Sequence, residues 1–182
     1  MSDLAILGTQ ESPVKLSDLK KLHAAVEWLR TQDSFAKSIE RLRGELRGSH
    51  EPFVWCTVDL DSIGVALPAA IKSCWIFLLK ADVPSGNHYH PNSVQHMVVL
   101  GGRGRSNVGG IERQMIPFGS ARHSIEEEWF VIGKGIPHEF FPEGEEMAVV
   151  SFHTCAADQL VEIASGTKVK RIYEPTGRST SS

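Results

Sequence analysis

Apolar positions near the start of the chain recur at helical spacing. Leu19, Leu22, Val26 and Leu29 form one stripe, with Ser17 as the expected N-cap. Asp33 or Ser34 is expected to start a second helix, whose stripe is Phe35, Ile39, Leu42 and Leu46 and whose stop is Gly48. Between the stripes lie Lys20, Lys21, Glu27, Arg30, Lys37, Glu40, Arg41, Arg43 and Glu45, the mixed charges of a solvated face. This pattern predicts an N-terminal helical extension over residues 1–50.

After His50 the period shortens. PFVWCTVDL, SCWIFLLKADV, VQHMVVL, GIERQMIPF, EEWFVI, HEFFP and EMAVVSFHT are short and rich in Val, Ile, Phe and Trp. Pro84-Ser85-Gly86, Gly101-Gly102, Gly109-Gly110 and Glu143-Gly144 punctuate them. Many short strands without alternating helices predict a mainly β, antiparallel sandwich or barrel over residues 51–173. Trp75, Phe77, Trp129, Phe130, Phe140 and Phe141 are expected in its core, and Glu126-Glu127-Glu128 at the start of an exposed edge strand. The polar segment 174–182 is expected to be a disordered tail.

Composition narrows the function classes. The chain has 182 residues, room for one ordinary domain. Its 19 basic and 22 acidic residues give a formal net charge of -3, which disfavours a nucleic-acid partner. Cys56, Cys74 and Cys155 are odd in number and far apart, so neither a disulfide framework nor a zinc ribbon is expected. The first residues lack the charged start and apolar run of a signal peptide, and no apolar stretch approaches the ~20 residues of a bilayer span. The expectation is a cytoplasmic protein with no membrane partner.

Eight histidines are the unusual feature. In Gly86-Asn87-His88-Tyr89-His90-Pro91, strand alternation turns His88 and His90 to one side, where a single metal ion can take both. Pro91-Asn92-Ser93 is a turn, and Gln95 then returns on the neighbouring strand. Further on, Gly133-Lys134-Gly135-Ile136-Pro137 delivers His138 onto a new strand. His96 competes with Gln95, and alternation favours Gln95 inward. Tyr89, between the two histidines, faces away, and His153 on the last barrel strand is a candidate base or substrate contact. Arg103, Arg105, Arg122 and His123 are loop residues at the expected barrel mouth, while His23 and His50 look incidental.

Over roughly residues 53–155 the chain resembles the cupin superfamily. His88, His90, Gln95 and Gly102 fall on the spacing of that family's first motif, and Gly135 and His138 on that of its second. The departures are Asp82 where the motif has its leading glycine, Gln95 for the glutamate, Gly133 for a proline and Pro142 for the closing asparagine. The resemblance implies a double-stranded β-helix, or jelly roll, that holds one divalent metal ion on His88, His90, Gln95 and His138. Iron(II) is the first choice, with zinc, nickel or manganese as alternatives that imidazole also suits. The implied activity is an iron-dependent, dioxygenase-like reaction on a small metal-chelating substrate, with His153 and Tyr89 as the candidate catalytic residues. A non-redox isomerase, lyase or cyclase on the same ligands, and a non-catalytic ligand-binding module, are the competing readings. Pairing or exchange of edge strands, common in the family, implies a homodimer.

Overall fold

The computed structural model describes residues 15–173 and 179–181, and its regular structure is mainly β. Two helices come first, α1 (Leu16–Arg30) and α2 (Asp33–Gly48). The strands that follow are β1 (Phe53–Val58), β2 (Ser73–Leu79), β3 (His88–Tyr89), β4 (Gln95–Gly101), β5 (Gly104–Val108) and β6 (Ile111–Met115). A short helix α3 (Ile125–Glu128) leads into β7 (Trp129–Ile132), β8 (His138–Pro142) and β9 (Met147–His153). The strands β10 (Val161–Ala164), β11 (Lys170–Tyr173) and β12 (Ser179–Ser181) end the chain.

The strands form two antiparallel sheets, ordered β1-β2-β9-β4-β7 and β12-β11-β10-β3-β8-β5-β6. Between them lies a core to which Trp55, Trp75, Met97, Phe130 and Val149 contribute from the first sheet, and Val108, Phe140 and Tyr173 from the second. Alternate residues of the first sheet, including Cys74, Ile76, Val98, Val150 and Phe152, point the other way into a second core. That core is closed by Leu19, Leu22, Val26 and Leu29 of α1 and by Phe35, Leu42 and Leu46 of α2. The helices therefore roof the outer face of the first sheet, which is why β2 and β9 are apolar almost continuously rather than alternating.

Both helical stripes lie where the spacing puts them, and the caps differ. α1 starts one residue before Ser17, from Lys15, with no side-chain cap, and α2 starts from Gln32. Gly48 is the last residue of α2, not a left-handed stop beyond it. The expected edge strand at Glu126–Glu128 is a helical turn instead. Ser124 and Glu127 form a reciprocal capping box there, satisfying donors that a strand would offer to a neighbour. Glu128 is buried and accepts from the Gly119 and Ser120 amides at 3.1 and 2.8 Å. Within the segment read as a tail, Ser179–Ser181 pairs with β11, while 174–178 and 182 lie outside the described residues. Residues 1–14 of the N-terminal extension lie outside them as well. Four strands that the apolar pattern does not announce, β5, β10, β11 and β12, complete the second sheet. All three cysteines are free. Among the described residues no helix is long and apolar enough to cross a membrane.

Candidate metal centre

The histidine motif builds its own geometry. β3 is only two residues long and lies between β8 and β10, with His88 directly opposite His138. One ring nitrogen from each of His88, His90 and His138 lies within 4.8 Å of the others, and all three side chains are buried. Their other nitrogens are occupied. Nδ1 of His88 contacts the Gly86 carbonyl at 2.8 Å, that of His90 the Val161 carbonyl at 2.9 Å, and that of His138 the Ile136 carbonyl at 2.9 Å. A carbonyl only accepts, so each Nδ1 carries a proton and each Nε2 is the atom left to face the centre. Metal-binding histidines are typically oriented in this way.

Burial, followed by the charge of His88, pushes His90 down to about 4. Burial, then His88 and His90, holds His138 well below the usual imidazole range. His90 and His138 are thus neutral imidazoles near neutral pH. His138 Nε2 is fully buried with no hydrogen-bond partner. An orphaned lone pair of this kind is costly unless a cation or proton donor meets it, so the donor set fits a metal ion.

Gln95 begins β4 with its side chain on the same side as the cluster. Its Nε2 donates to Ser151 Oγ at 3.0 Å, and its Oε1 is buried without a partner. The amide orientation follows from a chain of bonds. Ser93 Oγ donates to the Val94 carbonyl, so it accepts from His153 Nδ1 at 3.1 Å. His153 Nε2 therefore accepts from Ser151 O–H at 2.9 Å, and Ser151 accepts from Gln95. The amide oxygen is left without a partner. His153 has both nitrogens engaged, on Ser93 and Ser151, and is held well below its usual range, first by burial and then by His90. Tyr89 is half-buried and pairs with Ile163 at the sheet surface; it does not line the cavity. Arg103 and Arg105 are tied to Glu143, away from the cluster.

Beside the cluster lies a cavity of about 30 Å³. It has room for an ion with a water or two, at roughly 10–15 Å³ per water. Phe53, Phe77, Leu79, Met97, Phe140 and Val149 give it apolar walls, and Ser85, His88, His90, Gln95 and Tyr173 its polar points.

Sequence reasoning missed Glu162, Arg171 and Tyr173. Glu162 is buried beside His88, with Nε2 to Oε2 at 3.6 Å. Tyr173 donates to its Oε2, and Arg171 lies 3.5 Å from its Oε1. Alternation in Val161-Glu162-Ile163 would turn the valine and isoleucine inward, whereas the glutamate is the buried member.

His96 points to the opposite core, under α1, as alternation requires. Its Nδ1 is buried and unpaired, and burial pushes it down to about 4 from 6.5. A histidine neutral when folded but free to protonate when unfolded contributes stability that is complete above its unfolded value. That stability is lost as pH falls toward the folded value. We expect His96 alone to cost the metal-free protein roughly 3 kcal/mol across that window. His96→Leu should flatten the acid limb of stability measured by denaturant unfolding and leave metal retention unchanged. An unaltered acid limb would contradict the placement of His96.

No protein-family model matches the sequence, and no curated protein matches it significantly. Solved structures do match in fold. A salicylate 1,2-dioxygenase from Pseudoaminobacter salicylatoxidans, solved with gentisate, aligns at 14% identity and TM-score 0.53 over 75% of this chain and 37% of that one. A sugar phosphate isomerase of the cupin superfamily from Silicibacter pomeroyi aligns at 14% identity and TM-score 0.46 over 69% of this chain and 74% of that one. An oxalate oxidase solved with glycolate aligns at 15% identity and TM-score 0.42 over 58% and 52%.

Proposed function

We propose that this chain, whose fold is the cupin jelly roll, is a mononuclear metalloenzyme of the iron(II)-dependent dioxygenase type, acting on a small substrate that chelates the metal. The observation that carries the reading is the set of three Nε2 atoms converging within 4.8 Å, each fixed by a carbonyl on its Nδ1. The fold itself leaves the chemistry open, since its neighbours include a dioxygenase, an oxidase and an isomerase.

The choice among these rests on the donors and the cavity. Three imidazoles and the Gln95 amide are neutral, so an ion held by them keeps positive charge for an anionic, oxygen-bearing substrate. Iron(II) bound here would supply the activation of dioxygen. The chain does the rest: carbonyls fix the three rings, Ser151 accepts from the Gln95 amide nitrogen, and Phe53, Phe77 and Phe140 give the pocket apolar walls.

The test is oxygen uptake by the anaerobically iron-loaded protein against a panel of β-diketones, thiols and enediols. Uptake matched to substrate loss is expected for one class. Conversion that proceeds equally well under argon would replace this reading with a non-redox isomerase or lyase on the same ligands. Binding without conversion would reduce the protein to a ligand-binding module.

A further inference from the structure

Away from the metal centre, a second cleft opens where the two helices meet the first sheet. Its volume is about 410 Å³, within the roughly 300–1,000 Å³ of small-molecule sites. The end of α1 supplies Trp28 and Leu29, the first turns of α2 supply Phe35 and Ser38, and β2 supplies Ile76. The turn after β1 closes it with Asp59 and Ser62. Gly64 sets the position of one wall. A Cβ there would stand 2.6 Å from Trp28 Nε1 and 2.8 Å from its Cε2, so the missing side chain is what lets the indole lie against this turn. No residue of this cleft lines the metal cavity.

Four polar side chains of the lining present acceptors. Thr31 Oγ1 donates to the Trp28 carbonyl at 2.7 Å, so it accepts from Gln32 Nε2 at 2.7 Å. That Nε2 also donates to the Trp28 carbonyl at 3.3 Å, which leaves Oε1 as the open end of the Gln32 amide. Ser38 spends its proton on the Ser34 carbonyl at 2.9 Å, and Ser62 on the Asp59 carbonyl at 2.6 Å, so both oxygens have lone pairs to offer. Asp59 Oδ1 accepts from the Asp61 amide at 3.1 Å, leaving Oδ2. The negative end of α1 and the positive end of α2 both border the cleft. Their partial charges, about half a unit each, offset, and the full charge of Asp59 sets the sign. Among the described residues no lysine or arginine lines the cleft. Lys72, in the adjoining cleft, turns its ammonium to the Ala69 carbonyl at 2.9 Å.

We propose that this cleft binds a small organic ammonium ion, its N–H groups toward Asp59 and Ser62 and its carbon skeleton against Trp28 and Phe35. The inference is independent of the metal reading.

The test titrates the full chain at low ionic strength with phenethylammonium and with its neutral counterpart, 2-phenylethanol. Calorimetry gives the affinities, and the indole N–H resonance of Trp28, assigned with Trp28→Phe, reports the place. The cation is expected to bind at least about fivefold tighter than the alcohol and to shift that resonance. Asp59→Asn keeps an oxygen for the Asp61 amide and removes the charge, so it should bring the two affinities within about twofold of each other. Gly64→Ala, which pushes the indole off its wall, should weaken both probes. His138→Ala should leave both unchanged. No binding of the cation at millimolar concentration, equal affinity for cation and alcohol in the unsubstituted protein, or a preference that survives Asp59→Asn would overturn the proposal. Cation binding that disappears in His138→Ala would place the ligand at the metal centre and overturn it as well.

Discussion

His138→Ala abolishes metal retention through gel filtration: that is the result the geometry predicts. His138 is buried, its Nδ1 is committed to the Ile136 carbonyl, and its Nε2 has no hydrogen-bond partner. Four protein ligands share roughly 10–16 kcal/mol of binding energy in structural sites, or about 2.5–4 kcal/mol each. Losing one ligand should thus cost two to three orders of magnitude in affinity. The metal-free variant should unfold near the denaturant midpoint of the unsubstituted metal-free protein, because the deleted ring removes an unpaired polar atom along with its packing. Metal analysis of the purified variant checks the first part and chemical unfolding the second. A variant that keeps a full equivalent of metal would remove His138 from the site.

Gly102→Ala is expected to be the most damaging small change to the fold itself. Gly102 has φ +87° and a Cβ there would stand 2.4 Å from the Glu146 carbonyl oxygen and 2.8 Å from Met147 Cα, both backbone atoms that cannot swing aside. Left-handed backbone costs a non-glycine residue about 1–3 kcal/mol before any clash. The total should reach about 3–4 kcal/mol and lower Tm by roughly 6–16 °C in a chain of this size. Thermal unfolding of the metal-free form measures it. A loss under about 1 °C would show that β4 and β9 do not approach as closely as described.

Gly102 also illustrates what was legible in the sequence. It closes the first motif, and the tight turn after β4 needs the conformation that only glycine adopts freely. The three histidines were legible for a similar reason, because their spacing is set by a short strand and its turn. Asp82 shows a departure explained by structure. It stands where the motif has glycine and is the one non-glycine residue of positive φ among the described residues, at 58°. Its carboxylate accepts from the Gly144 amide at 2.8 Å, the kind of local bond that lets aspartate tolerate this backbone.

What the sequence hid depends on pairing between distant segments. Nothing local marks Glu162 as buried, because the neighbours that bury it, His88, Arg171 and Tyr173, arrive from two other strands. The capping box of Ser124 and Glu127 was readable, but the triple glutamate resembles an exposed strand until Glu128 meets the Gly119 and Ser120 amides. The helices were legible as stripes. Their role was not, since only the sheet shows that they roof its outer face, with His96 beneath them.

The central claim, that one ion belongs on these nitrogens, is tested most directly by elemental analysis of the protein purified without chelators. One equivalent of a divalent transition metal per chain is the predicted result. No metal in that preparation, together with no thermal shift on adding iron(II), cobalt(II), nickel(II), zinc(II) or manganese(II), would contradict it.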